Sequence, residues 1–236
     1  AAPRLLPAQA ACAAGETTVR AGDPRLAGYT PRDENIEMTM ERDGAARPFG
    51  RYQQHVERTS VNGAAALLFV QRGTTPRGTA LDSIWVDART WAPLRHVAST
   101  PGMMLDVAYR GGRVSGRVTK GDSVRAVDEA LPEGTLDHSV AATAVHALAF
   151  CEGAAFRFGG YDPATGGIRN AVYHVLGAER VEIGGAMRDV WTAEVRVADR
   201  TVRMHVDRAT GQELDWTMSG PGGAVLRGVS RPSGTR

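Results

Sequence analysis

The sequence predicts a mainly β protein built on one strongly curved antiparallel sheet of roughly ten or more strands, a half-barrel or open barrel. Apolar and polar residues alternate along most of the chain, which is the pattern of strands with one buried face. Glycine-rich turns separate these stretches. Only residues 137–151 have the period of a main α-helix. Because one helix cannot cover so many strands, the sheet must curl on itself.

The 236 residues suffice for one large β domain. Residues 1–30 are rich in alanine, proline and glycine, and we predict an irregular N-terminal segment there. Residues 31–230 are predicted to form a single curved β-sheet domain, and residues 231–236 a flexible tail. The chain begins with two alanines and a proline. We therefore expect an exported protein, periplasmic or extracellular, whose signal peptide has been removed.

In the first half, alternation marks strands at residues 36–41 and 52–57. The continuous apolar run at residues 65–73 is typical of a buried strand. Residues 83–98 read as strand, turn and strand, and residues 105–119 as a hairpin around a Gly-Gly turn.

The main helix is predicted from a stripe that includes Val140, Ala144 and Leu148. Asp137 or Ser139 can cap its start. Its many alanines suit close packing against a sheet.

Strands resume after the helix. Alternation or strand composition marks residues 170–185, residues 189–218 and a short final strand at residues 223–230. Within the second of these ranges, the alternation flips across Ala198-Asp199-Arg200, which predicts a turn.

The pattern Asp-x-x-Thr occurs three times, at Asp87, Asp162 and Asp207. A catalytic reading would pair aspartates as in an aspartic peptidase, but two residues separate each Asp from its Thr. Pro163 favours a type I turn with the aspartate accepting backbone N–H groups. We therefore interpret all three as structural turns between strands. In the first copy Trp91 takes the place of glycine, so this turn is expected to differ in detail.

Cys12 and Cys151 are the only cysteines. In an exported protein they could form a disulfide, and two free thiols are the alternative. No ligand set for a metal is evident, and no cofactor is expected. The net charge of +2 does not indicate a nucleic-acid partner. No apolar run has the length of a membrane-spanning segment.

Two stretches carry a family resemblance. The stretch "VLGAERVEIGGAMRDVWTAEVRV…RTVRMHVDRATGQELDW" and the earlier "IWVDARTWAPLRH" resemble exported bacterial envelope proteins of unknown function. These proteins are remotely similar to lipoprotein carriers and receptors of the LolA/LolB type. The resemblance covers residues 35–230. It implies a curved half-barrel whose concave apolar side holds acyl chains in the carriers.

We therefore expect a non-enzymatic protein that binds a lipid or other apolar or amphiphilic ligand on the concave face of its sheet. Two alternatives are a structural or protein-interaction module of the cell envelope with a filled interior, and a hydrolase. The envelope module would have an envelope protein as its partner. No catalytic residues are assigned. The residues expected to line the ligand are Met38, Met40, Leu105, Val107, Tyr109, Trp191, Val195 and Met204.

Overall fold

The structure is a computed structural model that describes residue 12, residues 14–197 and residues 200–231. The turn predicted at Ala198-Asp199-Arg200 and the tail predicted after Arg231 lie largely outside these described residues. What is described forms one sheet of 16 strands.

The strands before the helix are β1 (Gly15–Val19), β2 (Glu34–Arg42), β3 (Ala45–Val61), β4 (Ala64–Thr75), β5 (Gly78–Asp87), β6 (Pro93–Thr100), β7 (Met103–Arg110), β8 (Arg113–Lys120), β9 (Ser123–Ala130) and β10 (Leu136–Asp137). Helix α1 spans His138–Ala144. The strands after it are β11 (Ala154–Tyr161), β12 (Ile168–Ile183), β13 (Ala186–Val197), β14 (Arg200–Asp207), β15 (Glu213–Ser219) and β16 (Val225–Ser230). Short 3₁₀ helices occupy Pro24–Gly28, Val145–Ala147 and Pro221–Gly223.

The strands follow the order β1-β11-β12-β13-β14-β15-β16-β2-β3-β4-β5-β6-β7-β8-β9. β16 pairs with β2, so the two halves of the chain join side by side in one sheet. The predicted curved sheet is confirmed, and it is open, not closed into a barrel. Its pairs are antiparallel except that β1 and β10 both run parallel to β11.

β1 lies within the stretch predicted to be irregular. Residues 15–19 form a strand because each of them pairs with a residue of β11, from Gly15 opposite Ala154 to Val19 opposite Phe158. A parallel edge pair of this kind leaves no alternating signal in a short polar stretch, since only Val19 is buried. The division of the chain into segments otherwise remains a prediction.

The single helix is confirmed, but it is shorter than the predicted 137–151. Asp137 caps it by accepting a hydrogen bond from Ser139 N. After Ala144 the chain tightens into a 3₁₀ turn and then extends at Leu148. The tightening satisfies carbonyl groups that a longer helix would have bonded internally.

Two clusters of buried apolar side chains fill the concave side of the sheet. The larger one joins α1 and the 3₁₀ helix at Pro24–Gly28 to strands of both halves. The smaller one lies among β6, β7, β8 and β9 and includes Tyr161 from β11. The strand β9 at one end of the sheet lies close to the turn after β11 near the other end. There Arg125 on β9 donates a hydrogen bond to the carbonyl oxygen of Pro163 at 2.7 Å.

In the described part of the chain, no helix combines the length and the apolar character needed to cross a lipid bilayer.

Candidate functional site

Part of the concave face carries apolar side chains that remain partly exposed, and we call this part the open strip. Met40 lies opposite Leu226, Leu226 opposite Met218, and Met218 opposite Val202. Residues directly opposite in neighbouring strands point to the same face. The open strip consists of Met38, Met40, Val202, Trp216, Met218 and Leu226.

Trp216 lies flat against the neighbouring strand. A Cβ atom added at Gly228 would stand 2.3 Å from the Trp216 ring, so only glycine leaves room for the indole. Met38 lies opposite Gly228 on the other side. The ring therefore covers the gap between β15 and β2 and makes the strip continuous.

A group of polar side chains, which we call the polar cluster, adjoins the open strip. It consists of Arg32, Glu34, Gln54, His146 and Glu213. Glu34 and Gln54 lie directly opposite each other on β2 and β3. His146 reaches the cluster from the 3₁₀ turn after α1, with its Nε2 3.8 Å from Glu34 Oε1.

The charge states in the polar cluster depart from those in water. Burial, with a contribution from Arg32, lowers the pKa of His146 to about 3, so its imidazole is neutral. Desolvation raises the pKa of Glu213 to about 8, and the charges of Glu34 and Asp215 add to the rise. Burial also raises the pKa of Glu34. The cluster therefore holds fewer ionised carboxylates at neutral pH than its composition indicates.

The start of helix α1 is attached to strands β6 and β7, in the first half of the sheet, by a buried polar network. Asp137 Oδ2 accepts a hydrogen bond from the Tyr109 hydroxyl at 2.7 Å and lies 3.0 Å from His96 Nδ1. Burial disfavours the charged imidazole, but the carboxylates of Asp137 and Asp82 raise the pKa of His96 to about 9. Asp137 is fully buried. The same carboxylate thus caps α1 and forms an ion pair with β6.

The predicted ligand-lining residues fall in three places. Met38 and Met40 belong to the open strip. Val195 and Met204 are buried in the larger cluster, and Trp191 packs against that cluster while partly exposed. Leu105, Val107 and Tyr109 are buried in the smaller cluster.

The three repeated aspartates close turns. In each, the aspartate carboxylate accepts hydrogen bonds from the residues that follow, and its carbonyl accepts from the fourth residue on. All three turns also share the bond from the aspartate N–H to the carbonyl oxygen five residues on. No two of the three aspartates interact with each other in the contacts of the described residues.

The turn at Asp87 was expected to differ in detail, and this expectation is wrong for its backbone. Trp91 adopts the left-handed conformation, with φ of 60°, that Gly211 has at 66° in the other copy. Packing holds it there. Its ring is fully buried, meets Tyr29 edge-on at 5.1 Å, and donates from Nε1 to the Leu26 carbonyl oxygen.

Sequence reasoning missed the partner of His205. Its Nδ1 lies 2.5 Å from Asp215 on the neighbouring strand. Asp207, which shares its strand face in the sequence, is occupied in its own turn. The cross-strand partner could be found only once the register of β14 and β15 was known.

Cys12 and Cys151 are joined by a disulfide. It links the N-terminal segment to the chain that follows α1. Among the described residues, no group of three or more His, Cys, Asp or Glu side chains could hold a metal ion.

Two solved structures are similar to this chain. One is the hypothetical lipoprotein YmcC from Escherichia coli (K12), with 13% identity over 92% of this chain and 91% of that one, and a TM-score of 0.31. The other is a DUF1329 family protein from Desulfovibrio piger, with 12% identity over 89% and 92%, and a TM-score of 0.29. Likeness at this level does not define a shared ligand or activity.

No curated protein matches the chain. The family model described as "Protein of unknown function (DUF3108)" matches residues 36–212, well over half of the chain. The resemblance of the sequence to a family of unknown function is confirmed at that level. The chain therefore belongs to the DUF3108 family.

Proposed function

We propose that this protein binds the apolar part of a lipid or amphiphile on its open strip, without catalysing a reaction. The observation that carries the proposal is the alignment of partly exposed apolar side chains across four strands of the concave face. Contiguous apolar patches on a protein surface mark interaction sites or ligand-binding grooves. Three of the six side chains are methionines, which adapt to ligands of different shape.

The disulfide supports an exported location, periplasmic or extracellular. Disulfides persist in oxidising compartments and are rare where thiols are kept reduced. The bond between Cys12 and Cys151 fits such a compartment. A lipid or apolar molecule met outside the cytoplasm is then the ligand class that we propose.

Met218→Glu tests the proposal. A carboxylate in the middle of the open strip should weaken binding of a fluorescent hydrophobic dye by about tenfold or more, because the charge must be desolvated against the ligand. Met104→Glu is the matched control, since Met104 on β7 is 64% exposed and points to the opposite face from buried Leu105. This control should bind the dye as the unmodified protein does.

Native mass spectrometry of gently purified protein gives a second readout. We expect a co-purified lipid or detergent that is lost in Met218→Glu. If the unmodified protein carries no ligand and binds no dye, the open strip is not a lipid site.

The second candidate is a structural or interaction module of the envelope. Its support is the smaller cluster, where the concave face is filled by the protein's own side chains. A protein that ignores lipid and dye, yet is recovered in a stable complex with an envelope protein, would have this function. A hydrolase has no support, because the repeated aspartates are engaged in turns.

A further inference from the structure

Gln54 in the polar cluster has a fixed orientation and an unused donor. Its Oε1 accepts hydrogen bonds from Gln71 Nε2 at 3.0 Å, the Tyr52 hydroxyl at 3.2 Å and the Thr143 hydroxyl at 3.3 Å. Gln71 Nε2 also donates to the Ser139 carbonyl oxygen, so it is a nitrogen, and the Gln54 atom that faces it is therefore the oxygen. The Nε2 group is buried and has no hydrogen-bond partner among the described residues. Such a donor is costly unless something accepts from it.

An unused acceptor lies directly across from this donor. Glu34 is opposite Gln54 in the register of β2 and β3. Its side chain is 10% exposed, and Oε1 is buried without a hydrogen-bond partner in the part of the chain described. His146 Nε2 lies 3.8 Å from Glu34 Oε1.

His146 cannot supply the missing proton. Its Nδ1 lies 3.1 Å from the Gly211 carbonyl oxygen, so Nδ1 carries the hydrogen and donates it there. Because the imidazole is neutral, Nε2 is an acceptor. Two acceptors therefore face each other across the gap, and a donor between them is missing.

Arg32 adds a second unused donor. Its two terminal nitrogens donate to the carbonyl oxygens of Thr210 and His146, at 3.3 and 3.5 Å. Its Nε is buried and has no partner within the described ranges. The polar cluster thus contains two unused donors and one unused acceptor, and the neighbouring Tyr29 hydroxyl is likewise buried without a partner among the described residues.

A group that satisfies this set must accept and donate at once. An ammonium group can only donate, and it would stand beside the Arg32 charge. A carboxylate or phosphate can only accept, so it would leave Glu34 Oε1 without a donor. A hydroxyl does both without a charge.

We propose that the polar cluster binds the uncharged, hydroxyl-bearing headgroup of an amphiphile whose chain lies on the open strip. The hydroxyl oxygen accepts from Gln54 Nε2 or Arg32 Nε, and its hydrogen is donated to Glu34 Oε1. This inference rests on the function proposed above, and it names the class of ligand.

The spacing along β2 suits such a ligand. Glu34, Ile36, Met38 and Met40 share one face, because side chains alternate along a strand. At about 3.4 Å per residue, the distance from Glu34 to Met40 is about 20 Å. A headgroup at Glu34 therefore leaves a single alkyl chain in contact with the open strip.

The test compares three probes with the same chain, namely dodecanol, dodecanoate and dodecylammonium, by displacement of a hydrophobic dye at pH 7. Dodecanol should bind about tenfold more tightly than either charged probe, since each of these leaves buried groups unpaired. Glu34→Ala should remove this preference while the charged probes still bind. Glu37→Ala is the matched control, because Glu37 points to the other face of β2 and is 43% exposed.

Glu34→Gln gives a second measure that does not depend on losing a side chain. It keeps an acceptor and adds an amide donor that an anion can accept from, so discrimination against dodecanoate should narrow. Equal affinity for all three probes would mean that water alone fills the cluster, and it would overturn the headgroup assignment while leaving chain binding intact. Failure of all three probes to bind would instead contradict the proposed function.

Discussion

Hairpins β5–β6 and β14–β15 share their turn, and each has a register shift two residues before its aspartate, after Trp85 in one and after His205 in the other. When the two hairpins are aligned on Asp87 and Asp207, Ala98 takes the position of Met218. On the strand that follows each hairpin, Leu105 lies opposite Ala98 and Leu226 lies opposite Met218. Ala98 and Leu105 are 5% and 3% exposed, whereas Met218 and Leu226 are only partly buried.

The difference comes from what lies above the sheet. In the first half, Tyr161 and Leu131 pack over the smaller cluster, and Asp137 attaches the helix start to His96. In the second half Trp216 takes the place of His96, and it lies on Gly228 and packs against the larger cluster while remaining partly exposed. The alternation of apolar and polar residues therefore creates an apolar face in both halves. The groups that pack above this face decide in which half it is buried.

Breaking the buried network around Asp137 should expose the apolar face of the first half, as it is already exposed in the second half. Asp137→Ala is expected to lower the free energy of unfolding by about 3–5 kcal/mol, because it leaves the His96 charge buried without its partner and removes the helix cap. Urea denaturation measures this loss. Hydrophobic dye binding should rise, as the smaller cluster becomes accessible.

Asp128→Ala is the control for this experiment. Asp128 pairs with Arg113 on the surface, and its side chain is 69% exposed, so its loss should cost about 0–1 kcal/mol. Tyr109→Phe is a milder variant that removes only one bond to Asp137. If Asp137→Ala costs no more than Asp128→Ala, the network does not hold the first half closed.

The fold was predictable because alternation reports which face of a strand is buried, as in Met38 and Met40. Which half of the sheet is covered and which is exposed was not predictable, since alternation carries no information about the elements that pack over a face. The polar cluster was also out of reach. Glu34, Gln54 and His146 come from three separate elements, and only the sheet register and the position of the helix bring them together.

The two halves should also lose stability over different ranges of pH. The pKa of His96 is raised from 6.5 to about 9, so its contribution is complete below pH 6.5 and is lost as the pH rises through 9. The pKa of Glu213 is raised from 4.5 to about 8. The folded state keeps this proton longer than the unfolded chain does, so stability falls between pH 4.5 and 8.

Glu213→Gln separates the two contributions. The variant should no longer lose free energy of unfolding between pH 4.5 and 6.5, but it should still lose it toward pH 9. Each of the two losses is worth roughly 1–3 kcal/mol. The measurement is the free energy of unfolding from urea titrations at several pH values. An unchanged slope below pH 6.5 in the variant would show that Glu213 does not hold a proton in the folded protein.

The smallest expected effect concerns the shared turn. Gly211→Ala places a Cβ on a residue with φ of 66°, which costs about 1–2 kcal/mol. Its nearest neighbours are the Arg32 nitrogens at 4.0 Å, so the cost comes from the backbone and not from a clash. Gly28→Ala is the control, because Gly28 lacks a positive φ and has open space around its Cα.

The same strain is present in the first half at Trp91, where ring packing offsets it. Trp91 contacts Tyr29 and Phe69 at ring distances of 5.1 and 5.4 Å. A loss of about 1–2 kcal/mol in the free energy of unfolding of Gly211→Ala, measured by urea denaturation, would give the backbone strain that the packing of Trp91 must offset. If Gly211→Ala is as stable as Gly28→Ala, a Cβ costs nothing in this turn. Trp91 is then placed by the core alone, and its turn conformation needs no compensation.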